Sequence, residues 1–363
     1  MTKKFLAKVY DGAGDYVSTI PVETLMSKIR FTSQINGGQK ELNLDLNLAW
    51  DNPPTYASVE NYVRVYAVDT DNTTGRLIYT GKITEVIPTL SGGQSKIILT
   101  CLGLGSLMKV GLYNASHTAD DPSDIVDAII ADNQTDYPAM FGVGWIGSDA
   151  VPDVRTGGQV DTVSTTVTFA FAQITWAESM KEVIRLTGAS WYWFIDGGGD
   201  FIFKEKPATA THTFTIGKDV DSIFATNSIE DIINYATVDY DGGTVTANDA
   251  TSISAYGKRE TYKDSSASTS TSGTAQNIAD QLVAENKDPK KNIKITLNAN
   301  YDLESIKCGE TCKVQNLKKD STVVSSNMQI VSIDYNDGVY ATLELEQLTD
   351  FGSQLENFVA SQS

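Results

Sequence analysis

The chain is poor in the residues that most enzyme chemistry needs. Its 363 residues include two histidines, three cysteines and nine prolines. His117 and His212 lie in Ser/Thr/Ala-rich surroundings with no partner at ligand spacing. A zinc site or a His-based triad is therefore not expected, and both read as ordinary surface side chains. Three cysteines are an odd number, which is not a disulfide framework. Cys308 and Cys312 have three residues between them, not the two of a redox or zinc pair, and read as edging a strand. Cys101, in an apolar run, reads as a core residue. No stretch reaches the roughly 18 apolar residues of a membrane helix, and Met1–Tyr10 lacks the apolar centre of a signal peptide. The expectation is a chain made and folded in a cytoplasm. Basic runs are short as well, none exceeding Lys290-Lys291 or Lys318-Lys319. With 28 Lys+Arg against 46 Asp+Glu, a net charge of −18, sequence-independent binding to a phosphate backbone is disfavoured.

What is present is mostly strand. At 41% apolar residues the chain can build packed cores, and its length suggests two or three domains. Glu41–Leu48 alternates polar and apolar without a break, so Leu42, Leu44, Leu46 and Leu48 share one face. Tyr62–Val68, Arg76–Ile87 and Ser95–Leu102 continue the pattern, divided by the turn-rich Asp69–Gly75 and by Ser91-Gly92-Gly93. Such spacing reads as a small barrel or sandwich. Beyond residue 105 the texture changes. Asp121–Asp132 is a helix signal, with Pro122 at the first position and Ile125, Val126, Ile129 and Ile130 on one face. Residues 134–172 read as loops with a strand near Thr165–Ala172. Thr175-Trp176-Ala177-Glu178 is a capping box that opens a helix ending at Gly188. A hairpin follows, Ser190–Ile195 and Phe201–Lys204 around Asp196-Gly197-Gly198-Gly199-Asp200. Strands are expected again at Tyr235–Tyr240, Val245-Thr246 and Ser252–Tyr256, and a helix over Ala275–Glu285. Asp264–Thr274, almost all Ser, Thr, Ala and Gly, reads as a flexible loop or insertion.

Two segments echo one another. Glu41–Trp50, Val63-Arg64-Val65, Gly81–Val86 and Lys96–Leu99 have the order and spacing of Asn292–Asn298, Cys312-Lys313-Val314, Met328–Ile333 and Ala341–Leu345. The readings are a duplicated β-unit, or two unrelated β-units with similar strand lengths.

Several short motifs hint at sites. Gly103-Leu104-Gly105 follows a strand but lacks the Lys of a phosphate loop. Asp69-Thr70-Asp71-Asn72 lacks the Gly and Glu of a calcium loop and reads as a hairpin turn, as do Asp239–Gly243 and Asp334–Gly338. Trp191-Tyr192-Trp193 could stack on a sugar, but alternation splits the two tryptophans from the tyrosine, which favours core packing. Abundant carboxylates leave a glycosidase pair open without singling one out. No catalytic, cofactor or metal residue is assigned.

Three stretches carry a resemblance. Val63–Tyr66, Leu77–Val86 and Ile97–Gly103 resemble the first tube domain of phage tail baseplate hub proteins. Trp176–Ile184, Thr187-Gly188-Ala189, Trp191–Phe194, Asp196-Gly197 and Phe201–Lys204 resemble that family's helix–Gly–aromatic strand–Asp-Gly–strand unit. Cys308–Val314, Met328–Ile333 and Thr342–Leu345 are similar to its second tube domain. The resemblance implies a mainly β protein with some α, in which two tube-like β-barrel domains flank a mixed α/β middle domain. The expected boundaries are 1–108, 109–226 and 227–352, with a tail at 353–363. It also implies a homotrimer without enzymatic activity or cofactor, in a virion tail tip assembled in the host cytoplasm. A hexameric distal tail or tube protein would sit above it. A spike, fibre or tape-measure protein would sit below, and DNA would pass through the lumen without specific binding. The alternatives are a carbohydrate-binding adhesin using Trp191, Tyr192 and Trp193, and a cell-wall glycan hydrolase.

Overall fold

Period-two alternation builds most of this molecule. The computed structural model describes residues 4–68, 75–136, 160–316 and 323–347, apart from 13, 22–23, 26–27, 50, 92 and 189. The Asp69-Thr70-Asp71-Asn72 turn and the 353–363 tail lie outside the described residues.

The first strands are β1 (Lys4–Tyr10), β2 (Tyr16–Ile20), β3 (Arg30–Gln34), β4 (Gly38–Gln39), β5 (Glu41–Leu46), β6 (Tyr62–Val68), β7 (Arg76–Ser91) and β8 (Gln94–Gly103). Next come α1 (Leu104–Leu107), β9 (Leu112–Asp120), α2 (Pro122–Asp136), β10 (Val167–Thr175), α3 (Trp176–Thr187), β11 (Trp191–Ile195) and β12 (Phe201–Glu205). Then β13 (His212–Ile216), β14 (Val220–Ser228), β15 (Tyr235–Tyr240), β16 (Gly243–Asn248), α4 (Ala250–Tyr256), β17 (Glu260–Asp264) and α5 (Ser272–Asn286). The chain closes with β18 (Lys290–Asn298), β19 (Thr311–Asn316), β20 (Val323–Asn336) and β21 (Tyr340–Gln347). The class is mainly β with some α, as the sequence predicts.

One antiparallel sheet has the order β2-β1-β6-β7-β8-β5. A second runs β19-β13-β14-β18-β21-β20 and closes into a six-stranded barrel through a β19–β20 pairing. Within these sheets the echo becomes a structural repeat. The order β6-β7-β8-β5 is matched by β19-β20-β21-β18, antiparallel at every step. Leu42, Leu44 and Leu46 face Cys101, Leu99 and Ile97, just as Ile293, Ile295 and Leu297 face Leu345, Leu343 and Ala341. Val63 lies opposite Gly81 as Cys312 lies opposite Met328. Both long strands carry a bulge at the same step, between Ile83 and Glu85 in β7 and between Ile330 and Ser332 in β20. A bulge adds one residue and re-aims the strand, so similar strand lengths alone would not place it twice at one aligned position.

Pairing does not follow contiguous segments. β3 and β4 leave the first sheet to extend the second, with β3 antiparallel to Ser332–Asn336 of β20. The two sheets then share a single apolar core that runs from Phe5, Val9 and Leu44 to Phe214, Ile295 and Leu343. Phe31 of β3 is the hinge pin. Its ring stacks on Tyr335 at 5.2 Å and leans on Tyr79 at 5.2 Å, while Phe5 meets Tyr335 edge-on at 6.4 Å. β13 precedes the 227 boundary and β14 runs across it, yet both belong to the barrel, whereas β15, β16, β17 and α5 follow it and pack with the middle layer. Contacts made late in the chain, not proximity along it, decide membership.

The middle layer has its own core. It uses Ile125, Val126, Ile129 and Ile130 of α2 as expected, with Trp176, Met180 and Val183 of α3 and Ile278 and Ala279 of α5. The capping box forms, Thr175 Oγ1 accepting from Glu178 N at 3.2 Å and Glu178 Oε2 from Thr175 N at 3.1 Å. Two expectations change. Ser252–Tyr256 is helical, within α4, because Asp249 accepts the Ser252 N–H at 2.8 Å and caps a helix start. The Ser/Thr tract is not a loose loop. Ser265 and Thr269 are buried, Ser268 accepts the Ala170 N–H at 2.8 Å, and Thr269 accepts the Asp241 N–H at 3.0 Å.

Gly103 and Gly105 serve packing and not a phosphate. A Cβ on Gly105 would stand 2.1 Å from Gly37 O, and one on Gly103 would stand 2.2 Å from Gln39 O. The end of β8 is thus pressed backbone to backbone against the β3–β4 turn. Gly105→Ala is expected to lower the unfolding free energy by about 2–4 kcal/mol. Gly273→Ala, in open space within α5, should raise it by about 0.5–1 kcal/mol. Denaturant titration of both variants beside the parent checks the two opposite signs.

Candidate functional site

The β11–β12 hairpin sits where the three parts of the molecule meet. Its alternation divides the two cores. Tyr192 and Phe194 enter the core shared by the sheets, while Trp193 and Ile195 enter the middle layer. Trp193 stacks on Phe201 at 5.7 Å and Trp191 on Phe203 at 4.9 Å. Trp193 is 1% and Tyr192 5% exposed, so the three aromatics form no sugar-binding platform. Gly309 lies under Tyr192, where a Cβ would come within 2.0 Å of the ring. Asn36, left-handed at φ 54, donates its N–H to Trp193 O at 2.7 Å and accepts from Trp193 N at 3.2 Å. The β3–β4 turn is thereby hooked onto β11.

The hairpin turn is the most polar part of this seam. Asp196 Oδ1 accepts from Gly198 N at 2.8 Å and from Asp200 N at 3.1 Å, which shapes the turn. Asp196 Oδ2 pairs with Lys307 Nζ at 2.8 Å, reaching the loop before β19. Gly197 O accepts from Thr80 Oγ1 of β7 at 2.5 Å. Buried Gln39 binds the backbone of the same strand, donating to Ile78 O and accepting from Thr80 N at 3.1 Å. Asp200 is pushed up to about 6, first by burial and then by the neighbouring Asp196 charge, against the pull of Lys307 and Arg64. A raised carboxyl beside an ionised one is the pattern of a glycosidase pair. Here, however, Asp196 is buried and committed to its turn and to Lys307.

Both histidines are corrected from surface residues to members of inner networks. His212 is buried, with Nδ1 2.9 Å from the Tyr301 hydroxyl and Nε2 2.7 Å from Glu310 Oε2. His117 stands 3.0 Å from the Tyr113 hydroxyl and 2.8 Å from Asp120. The partners of His212 lie 89 and 98 residues further along, beyond any sequence window. Each is a Tyr–His–carboxylate chain, with a phenol and, among the described residues, no Ser, Thr or Cys bonded to the imidazole. Burial pushes Tyr113 up to about 12, opposite to what an activated phenol needs. The His212 set helps close the barrel, beside Thr211 N donating to Thr311 O at 2.7 Å. The three thiols are buried and unpaired with one another, and burial pushes each of them up. Among the described residues no group of three His, Cys, Asp or Glu could hold a metal ion. The Asp239–Gly243 and Asp334–Gly338 segments are the β15–β16 and β20–β21 turns.

Sequence reasoning passed over the open edges. Leu90 on β7 is 58% exposed and Phe224 on β14 is 63% exposed. Neither lies in a segment that the sequence marked as strand, so no periodicity signalled them. The outer faces of the repeated strands carry Glu41, Asp45 and Glu85 in one unit and Asp334, Glu344 and Glu346 in the other.

No family model and no curated protein matches the sequence. Solved structures do match over nearly the whole chain. A tail protein from Neisseria meningitidis MC58 is 10% identical, covers 95% of this chain and 97% of its own, with a TM-score of 0.63. The 43 kDa tail protein of prophage MuSo2 from Shewanella oneidensis is 13% identical, at 94% and 98% coverage and a TM-score of 0.60. Prophage tail protein gp18 from Listeria monocytogenes EGD-e is 10% identical, at 98% and 99% coverage and a TM-score of 0.55. The chain has the fold of these tail proteins, the class its sequence resembles.

A raised carboxyl weakens the fold above its own titration and ceases to do so once protonated in both states. Asp200 therefore costs stability at pH 7.5 and little below pH 4. Asp200→Asn should raise the melting temperature at pH 7.5, with the gain shrinking as pH falls through 6 toward 4. Thermal melts of parent and variant across that range check the sign; a gain independent of pH would contradict it.

Proposed function

We propose that this chain is a structural hub of a phage tail tip, or of a tail-derived injection machine, located in the particle and without enzymatic activity. Three copies close into a ring. Each contributes two tube-like units, one built on β5–β8 and one on β18–β21, while the mixed middle layer braces them from one side. Six similar units then present near-sixfold symmetry to a hexameric tail tube or distal tail protein above. The threefold ring meets a spike, fibre or tape-measure protein below, and DNA passes through the lumen. The observation that carries this reading is the repeat itself, with the same strand order, register and bulge twice in one chain. A doubled unit turns threefold into near-sixfold symmetry in a closed assembly. Likeness in fold to tail proteins supports it. So does the net charge of −18, which suits a channel that DNA must slide through without sticking.

The burial of Trp193 and Tyr192 removes the feature that favoured an adhesin. Light scattering over a range of concentrations is expected to give three copies of the 39.3 kDa chain, about 118 kDa, and negative-stain images should show a ring with a central hole. A strict monomer at every concentration, joined by specific retention on a glycan array, would overturn the hub reading.

A further inference from the structure

The repeat is complete in its strands but unequal in its surroundings. In the second unit, the part of β20 beyond the bulge is covered. Ser332–Asn336 pairs with β3, Ile35 N donates to Val331 O at 2.9 Å, and Asp337 N to Ile29 O at 2.7 Å. The corresponding part of β7, Glu85 to Ser91, pairs only with β8 among the described residues. Ser91 faces Gln94 across a two-residue turn, so the backbone groups of Leu90, Pro88 and Val86 point to the open side. Their counterparts Asp337, Tyr335 and Ile333 are the positions that bond β3.

A matching donor exists in the same chain. Val220 at the start of β14 faces Leu297, as Leu25 faces Leu46. Leu46 and Leu297 are equivalent positions in β5 and β18, so β14 stands where the segment leading into β3 stands. β14 carries one extra residue between Val220 and Ser222, which makes residues 225–229 the counterpart of 29–33. Beyond Val220 the side of β14 away from β18 has no strand partner among the described residues. One open edge thus needs a strand, and one strand has an open edge.

We propose that β14 of one copy pairs antiparallel with β7 of the next, residues 225–229 lying along Val86–Leu90, as β3 lies along β20 within each chain. This rests on the trimer reading above and names its interface. In that register Ile229, 50% exposed, faces Val86. Leu90, 58% exposed, stands opposite residue 225 on that same face, so two exposed apolar side chains, Ile229 and Leu90, leave water. Pro88 supplies a carbonyl but no N–H, leaving the ladder one donor short. That is tolerated at an edge, and it discourages pairing with arbitrary strands.

The test uses the full chain with Ile87→Cys and Ser228→Cys together. This pair corresponds to Asp334 and Thr32, whose side chains meet at 2.6 Å across a non-hydrogen-bonded pair. Mild oxidation at high protein concentration is expected to give a reducible species of three chains, absent from either single variant. Leu90→Pro, which removes an N–H unused within the chain, should abolish the trimer while keeping the parental melting temperature within a few degrees. A parental trimer by light scattering whose double variant does not cross-link would overturn the strand pairing and leave the trimer standing. A parent that never leaves the monomer would remove both.

Discussion

The structure depends on one short ladder, the pairing of β3 with the second half of β20. β3 lies between strands of the first sheet in sequence but is hydrogen-bonded into the second. A strand that changes sheets carries its neighbours with it, and here it brings Phe31 between Tyr79 and Tyr335. Two small β-units that would each bury only a modest apolar area thereby share one core. The fraction of surface removed from water rises with the size of a core, so fusion stabilises both halves. It also fixes the angle between them, which a flexible linker would not do.

Around that ladder the backbone itself is close-packed. Gly105 meets Gly37, and Gly103 meets the carbonyl of Gln39, so no side chain separates the end of β8 from the β3–β4 turn. Asn36 then ties the turn to Trp193 in the middle layer. Such contact buries peptide groups and side-chain polar atoms, and buried polar groups need partners. For Gln39, Asp196 and His212 the seam supplies them across separate parts of the chain. Gln39 serves β7, Asp196 takes Lys307, and His212 bridges Tyr301 and Glu310. These groups resemble catalytic sets in type, yet their geometry spends them on satisfying one another. Polar residues gathered at one place are as well explained by a buried junction as by a reaction.

Much of the local structure was legible beforehand. The alternation of Leu42, Leu44 and Leu46 in a strand that stops short of Leu48, the apolar face of 125–130, the Thr175–Glu178 capping box and the split of Trp191 and Trp193 from Tyr192 each follow from a period or a short motif. Even the repeat could be aligned, and the alignment placed Thr84 against Val331, where both bulges fall. Elsewhere local signals misled. Ser252–Tyr256 has the composition of a strand, but an Asp249 cap turns it into a helix. The Ser/Thr tract lacks apolar residues to advertise burial, yet hydrogen bonds to β10 and to the β15–β16 turn hold it.

By itself the sequence determined which residues of the early strands alternate, which face of α2 is apolar, where the capping box opens α3, and that two segments share an order and spacing of strands. Those properties depend on neighbours a few residues apart, within reach of one strand or one helical turn. Tertiary structure alone decided which unit receives β3, β13 and β14, where the histidines find their carboxylates, and which long strand is left with an open edge. Each of those outcomes joins segments tens to hundreds of residues apart. Their pairing is set by the total apolar surface and hydrogen bonding of the assembled fold, which no local period encodes.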